Sequence, residues 1–153
     1  MDSFAYQQKI QELDQKMHHH LSPLLRIDFE HYHITDMQYH VLSCISEHDG
    51  ITISELSKIL HQDAGNMSTV CKKLEKLCYL FRLRSKKDER VFHLHLTKEG
   101  MYCVQRISEK IRRYYEKEWN RYNEADKEMI LHALNKLNQF FESFSGRKDE
   151  YEL

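Results

Sequence analysis

Glycine and proline are nearly missing from this sequence, with four and one in 153 residues. Turn-rich β architectures and flexible linkers both consume those residues, so their scarcity predicts a mainly helical chain. Long apolar runs are missing too: nothing approaches the roughly 18 consecutive apolar residues of a membrane span. The first segment, MDSFAYQQKIQELDQK, is polar and carries acids, unlike a secretory signal. A cytoplasmic protein is the expectation. Cysteines are few and isolated; Cys44, Cys71, Cys78 and Cys103 form no CxxC pair, which argues against a metal ribbon or a thioredoxin-like motif. Cys71 and Cys78 stand seven apart on one expected helix, about 10 Å along its axis and too far for a disulfide. Small buried hydrophobes in a reducing compartment are the expected role. Phosphate-cradling glycine loops, nucleophile elbows and zincin helices are absent as well, so neither an enzyme nor a cofactor is expected.

What is present is 41% hydrophobic and 31% charged residues, the balance of a folded globular chain. The length suits one ordinary domain with a real core. A formal net charge of −1 conceals an asymmetry. Residues 1–60 hold 4 Lys/Arg against 9 Asp/Glu, residues 61–100 hold 9 against 5, and residues 101–153 hold 10 of each. A basic segment in an otherwise neutral-to-acidic chain is the electrostatic footprint of a polyanion-binding surface.

Periodicity then divides the chain. Tyr6, Ile10, Leu13, Met17, Leu21 and Leu24 recur at steps of 3 and 4, an amphipathic helix. A kink or restart is expected at Ser22-Pro23. Thr35-Asp36-Met37-Gln38 and Thr52-Ile53-Ser54-Glu55 are capping boxes. The first opens a helix burying Met37, Val41, Leu42 and Ile45, ended by Asp49-Gly50; the second opens a short helix with Leu56, Ile59 and Leu60 inward. Asp63 caps the next, which buries Met67, Val70, Cys71, Leu74 and Leu77, and the two together form a helix-turn-helix. The period then switches to two. In Phe81-Arg82-Leu83-Arg84 the apolar residues share one face and the arginines the other, and Phe92, Leu94 and Leu96 alternate with Val91, His93 and His95. With the charged tip 85–90 between them, these form a β-hairpin wing. Thr97 caps a long helix with Met101, Val104, Ile107, Ile111 and Tyr114. Asn123 to Asp126 cap the last, where Ile130, Leu134, Leu137, Phe141 and Phe144 make a coiled-coil-like seam. The fold class is thus mainly α with a small β-hairpin wing. Its expected organisation is a dimerisation helix in 1–34, a winged helix-turn-helix in 35–96 and dimerisation helices in 97–153. A two-fold homodimer is the economical cover for the terminal stripes, through Ile10, Leu13, Met17 and the seam residues.

Recognition of double-stranded DNA needs a helix for the major groove, side chains for base edges and cations for phosphates. On the helix opened by Asp63, Ala64, Asn66, Ser68, Thr69, Lys72 and Lys73 are expected to face outward. Small residues at its first turn allow close approach, and a helix N-terminus favours phosphate. Asn66, Ser68 and Thr69 suit bases; Lys72 and Lys73 suit phosphates. In the wing, Asp88 is placed to brace Arg90 for entry into a minor groove, with Lys86 and Lys87 adding backbone contacts.

These residues carry a resemblance to the MarR family of regulators. Ile34-Thr35-Asp36-Met37-Gln38 through Val41-Leu42 resembles the family's L-T-x-x-Q opening of its second helix, and Ser54-Glu55-Leu56 the start of its third. Ala64 to Ser68 and Leu74 to Lys76 resemble its recognition helix. Asp88-Glu89-Arg90 followed by Leu96-Thr97-Lys98-Glu99-Gly100 resembles its wing pattern, D-x-R then L-T-x-x-G. The resemblance implies a homodimer on an inverted-repeat operator, usually a repressor, often released by a small ligand, an oxidant or a metal. It also implies an effector pocket between the dimerisation helices and the winged unit, where Phe29, His31, Tyr32, His33, Met37 and Tyr39 are the candidates. Cys78 stands where the family usually has glycine; either the helix ends differently here, or strain is stored beside the recognition helix. Of the 11 histidines, His18-His19-His20 cannot share one helix face. His31 and His33 lie near Glu30 and Asp28 without a recognised ligand framework. No metal site is assigned, and a metal-responsive regulator of the same fold stays an alternative. So does a winged-helix module that binds protein, for which an apolar and uncharged recognition face would be the mark.

Overall fold

Two capping boxes open consecutive helices where the sequence places them. The computed structural model of the chain describes residues 3–86, 88 and 90–145, without the side chains of 3, 17, 18, 20–27, 144 and 145. Its elements are α1 (Ser3–His31), α2 (Asp36–Glu47), α3 (Ile53–Ile59), α4 (Ala64–Lys76), β1 (Leu80–Arg84), β2 (Phe92–Leu96), α5 (Lys98–Trp119) and α6 (Glu124–Ser145). Before α2, the Gln38 N–H donates to Thr35 Oγ1 at 3.3 Å while Gln38 Oε1 accepts from the Thr35 N–H at 2.8 Å. Thr52 and Glu55 repeat the exchange before α3 at 3.3 and 2.9 Å. Before α4, Asp63 Oδ1 accepts from the Asn66 N–H at 2.7 Å. Each such cap is worth about 1 kcal/mol. No helix among the described residues is long and apolar enough to cross a membrane.

The chain divides within α5, between Ile111 and Arg112, into two units. The first holds the core. Val41, Leu42 and Ile45 of α2, Leu56 of α3, Met67, Cys71 and Leu74 of α4, and Leu94 of β2 are all fully buried, joined by Cys103, Val104 and Ile107 of α5. At about 1.5–3 kcal/mol per large side chain, this set fixes α4 on α2 and α3 with its opposite face free.

Several inward assignments change. Ile59 is exposed, because Leu56 and Ser57 already fill the inner side of a seven-residue helix, Ser57 Oγ donating to Ile53 O at 2.7 Å. Leu77 is exposed because it is the C-cap of α4, where the chain has begun to turn away. On α5 the inner stripe runs through Gly100, Cys103, Val104 and Ile107, leaving Met101 and Tyr114 exposed. The expected restart at Pro23 does not occur, since α1 is helical from Ser3 to His31. A proline forfeits one backbone bond, and a long helix with intact turns on either side carries that loss.

β1 and β2 pair antiparallel from Leu80↔Leu96 to Arg84↔Phe92. Residues 50–52 lie against β2 as an isolated bridge: Gly50 N–H donates to Leu94 O at 3.0 Å, Leu94 N–H to Ile51 O at 2.9 Å, and Thr52 bridges His93. The face of β1 that carries Leu80 turns inward, so Arg82 goes inside with it while Phe81 and Leu83 stay in solvent. Arg82 Nε lies 3.3 Å from Glu75 Oε2, and Arg84 stands over the Phe92 ring at 5.5 Å.

Three helices end in one motif without using glycine. After α1, Ile34 N–H reaches Phe29 O and His33 N–H reaches Glu30 O; after α3, Gln62 reaches Ser57 and His61 reaches Lys58; after α4, Tyr79 reaches Leu74 and Cys78 reaches Glu75. These paired bonds are Schellman turns, whose pivot must be left-handed. The pivots are His33 (φ 53°), His61 (φ 50°) and Cys78 (φ 61°). α4 therefore ends on a left-handed residue, the conformation glycine favours, and Cys78 there stores roughly 1–2 kcal/mol of strain. Cys78→Gly is expected to stabilise the protein by about 0.5–1 kcal/mol once glycine's extra chain entropy is deducted. A urea midpoint that stays put or falls at unchanged slope would show that no strain is released.

Candidate nucleic-acid interface

At about 100° per residue, Gly65, Asn66, Thr69, Lys72, Lys73 and Lys76 fall within an arc of about 120° on α4, opposite the buried Met67, Cys71 and Leu74. All six are exposed. Ala64 is exposed but lies about 80° outside this arc, and Ser68 is half-buried. The arc carries three lysines and no acid. Glu75, the acid nearest to it in the helix, is held by Arg82. One feature differs from the expectation for the helix N-terminus: the Asp63 carboxylate occupies the Asn66 N–H. A phosphate there would meet a negative charge, which shifts backbone contact toward the lysines.

The wing tip is built on main-chain bonds. Ser85 N–H donates to Val91 O at 2.8 Å, Val91 N–H to Asp88 O at 3.0 Å, and the Arg90 N–H to Asp88 Oδ1 at 2.9 Å. Asp88 thus braces Arg90 through its backbone, and among the described residues its carboxylate forms no ion pair with the guanidinium. Lys86 and Arg90 are exposed; Lys87 lies outside the described residues.

The turn that ends α4 is stitched to the start of α5. Thr97 Oγ1 donates to Cys78 O at 2.6 Å, Thr97 N–H to Tyr79 O at 3.1 Å, and Gly100 N–H to Thr97 Oγ1 at 3.0 Å. Beside this junction lies an open groove of about 520 Å³ lined by Tyr32, Tyr79, Lys98, Glu99 and Tyr102. The Tyr79 hydroxyl donates to Tyr32 O at 3.0 Å. Burial pushes the Tyr32 and Tyr79 phenols up, so both act as neutral hydrogen-bonding groups. Of the six expected effector residues, Tyr32 alone lines this groove. Phe29 and Met37 pack against the core. Tyr39 is buried with its hydroxyl 3.0 Å from Ser108 Oγ, while His31 and His33 are exposed. Tyr79, Lys98, Glu99 and Tyr102 escaped sequence reading because only the fold brings three segments to one place. Among the thiols, Cys44, Cys71 and Cys103 are buried and Cys78 is exposed. Burial pushes the Cys71 and Cys103 thiols up to about 11, which keeps them protonated and inert near neutral pH.

Along the terminal helices, Leu13 is 44% exposed and Ile10 half-buried. On α6, Leu134 and Phe141 are exposed while Ile130 and Leu137 are half-buried. The side chains of Met17 and Phe144 lie outside the described part.

Comparison with known proteins gives the lineage. The family model described as MarR family matches residues 34–92. The HTH-type transcriptional regulator SarZ of Staphylococcus aureus is 30% identical over 120 residues, spanning 76% of this chain and 78% of its own. YpoP of Bacillus subtilis, an uncharacterised HTH-type transcriptional regulator, is 26% identical over 102 residues, 67% of this chain and 72% of its own. Among solved structures, Streptococcus pneumoniae FabT in complex with DNA superposes with a TM-score of 0.76 at 26% identity, covering 88% of this chain and 99% of that one. With the capping boxes, the helix-turn-helix and the wing in their observed order, the chain belongs to the MarR family of winged helix-turn-helix transcriptional regulators.

Proposed function

We propose that the protein is a homodimeric, sequence-specific DNA-binding regulator, acting as a repressor on an inverted-repeat operator and released by a small ligand or an oxidant. The observation that carries this reading is the acid-free, lysine-bearing arc of α4 beside a basic wing, on a core that holds the helix rigidly. The DNA complex of the FabT relative supports it. In this reading α4 enters the major groove with Asn66, Ser68 and Thr69 toward base edges and Ala64 at the point of close approach. Lys72, Lys73, Lys86 and Lys87 meet phosphates, and Arg90, with its backbone fixed by Asp88, enters the flanking minor groove. The terminal helices pair two copies through Ile10, Leu13 and Met17 and through the α6 seam Ile130, Leu134, Leu137, Phe141 and Phe144. An effector would fit the Tyr32–Tyr79–Tyr102 groove, whose lining is continuous with the end of α4 through Tyr79.

Selection from random duplexes at about physiological salt tests the reading. Enrichment of an inverted repeat with half-sites about one helical turn apart is expected; retention without any enriched sequence would contradict it. Arg90→Ala is expected to weaken operator binding by about 10- to 100-fold, as for loss of a charged groove contact, with melting and oligomeric state unchanged. Unchanged affinity would remove the wing from the mechanism.

A further inference from the structure

We infer that Gln62, in the turn before α4, orients the amide of Asn66 so that Asn66 reads an adenine in each half-site in preference to guanine. The inference rests on the DNA-binding reading above and assigns a sequence preference to it. Asn66 Nδ2 donates to Gln62 Oε1 at 3.1 Å, while the Asn66 backbone N–H is held by Asp63. The Gln62 backbone is fixed, its N–H donating to Ser57 O at 2.9 Å in the turn that ends α3, and its half-buried side chain turns Oε1 to Asn66. The Asn66 amide is thus set before any ligand arrives, which spares ordering entropy on binding.

Three residues of α4 were candidates for base contacts, and the bonds separate them. Thr69 Oγ1 spends its hydrogen on Gly65 O at 3.1 Å, and Ser68 is half-buried. Asn66 is exposed in the first turn, where recognition helices meet base edges. A free asparagine amide offers two N–H donors and one carbonyl acceptor. With one N–H held by Gln62, a single donor and the carbonyl remain. Adenine presents one acceptor, N7, and one donor, the N6 amino group, which that pair matches bidentately. Guanine presents two acceptors, N7 and O6. It would leave the Asn66 carbonyl facing another oxygen, with one donor for two acceptors. Gln62 therefore sets discrimination without touching the base.

The test is the binding of wild-type, Asn66→Ala, Gln62→Ala and Gln62→Glu protein to an enriched operator and to versions with each A·T pair of the half-site changed to G·C. One position is expected to lose its A-over-G preference by about 5- to 100-fold in Asn66→Ala. The same position is expected to lose about 3- to 10-fold in Gln62→Ala, where a second donor becomes available to guanine, with binding to unrelated duplex unchanged. Gln62→Glu keeps the acceptor and is expected to keep the ratio while lowering general affinity through its charge. A merely structural role for Gln62 would lower affinity for all duplexes alike, and that result overturns the inference. So does a half-site in which no position responds to Asn66→Ala, or a ratio that Gln62→Ala leaves at the wild-type value. Failure of the wild-type protein to retain any duplex would bring down the DNA-binding reading together with this one.

Discussion

Leu134→Glu is expected to convert the protein to a monomer and to lower operator affinity by about 100- to 10,000-fold, the gain that joining two half-site contacts supplies. No described residue of α6 is buried, and Met129, Leu131, Leu134, Phe140 and Phe141 expose between 40% and 68% of their surface. Large apolar side chains exposed to that extent on one helix suit an interaction surface. The seam positions 130, 134, 137, 141 and 144 step by 4, 3, 4 and 3, which suits a packed helical partner. Leu134 is 55% exposed, so a glutamate there costs the isolated chain little. Its effect is expected to fall on association, where a charge would be buried without a partner. Sedimentation equilibrium and operator titration on one preparation, with a thermal melt as control, read the two consequences separately. A variant that still sediments as a dimer would move the interface off this face. A monomer with undiminished affinity would show that one half-site suffices.

The sequence made some parts of this molecule legible because their causes are local. A capping box involves four residues, and Thr35 with Gln38, and Thr52 with Glu55, form their reciprocal bonds as written. The stripes of α2 and α4 follow from periodicity, which places Leu42, Ile45, Met67 and Leu74 inward, where they are fully buried. What stayed hidden depends on contacts made elsewhere. Alternation in β1 separates arginines from apolar residues but does not say which face is inward. That was set by Leu80, one residue before the run considered, and it carries Arg82 beneath α4 beside Glu75. The bridge at 50–52 is too short to have a pattern and exists through the bonds of Gly50 and Ile51 to Leu94. The candidate interface was largely visible, since its residues lie within one helix and one hairpin. The groove was not: Tyr32 follows α1, Tyr79 precedes β1 and Tyr102 lies in α5. The Gln62–Asn66 bond spans only four residues, and two amides at that spacing across the turn between α3 and α4 are a local signal.

Gly100→Ala is expected to destabilise the protein by about 3 kcal/mol, at the upper end of what an overpacked site costs. A Cβ at position 100 would stand 2.0 Å from Tyr79 O and 2.9 Å from Tyr79 C, both main-chain atoms. No rotamer change relieves such a contact, so either α5 or the segment after α4 must move. That segment has little freedom: Tyr79 O accepts from the Thr97 N–H, Cys78 O accepts from Thr97 Oγ1, and Cys78 already sits at φ 61°. Displacing Tyr79 would also strip Leu80, 2% exposed, from its place in the core. Glycine is required here by close approach, unlike Gly50, where a φ of 80° is the reason. Urea unfolding of Gly100→Ala measures the cost, and operator binding by whatever fraction remains folded measures how far the end of α4 has shifted. A variant with the wild-type midpoint would show that the first turn of α5 yields freely around Tyr79, and the junction would then be too soft to hold the end of α4 in place.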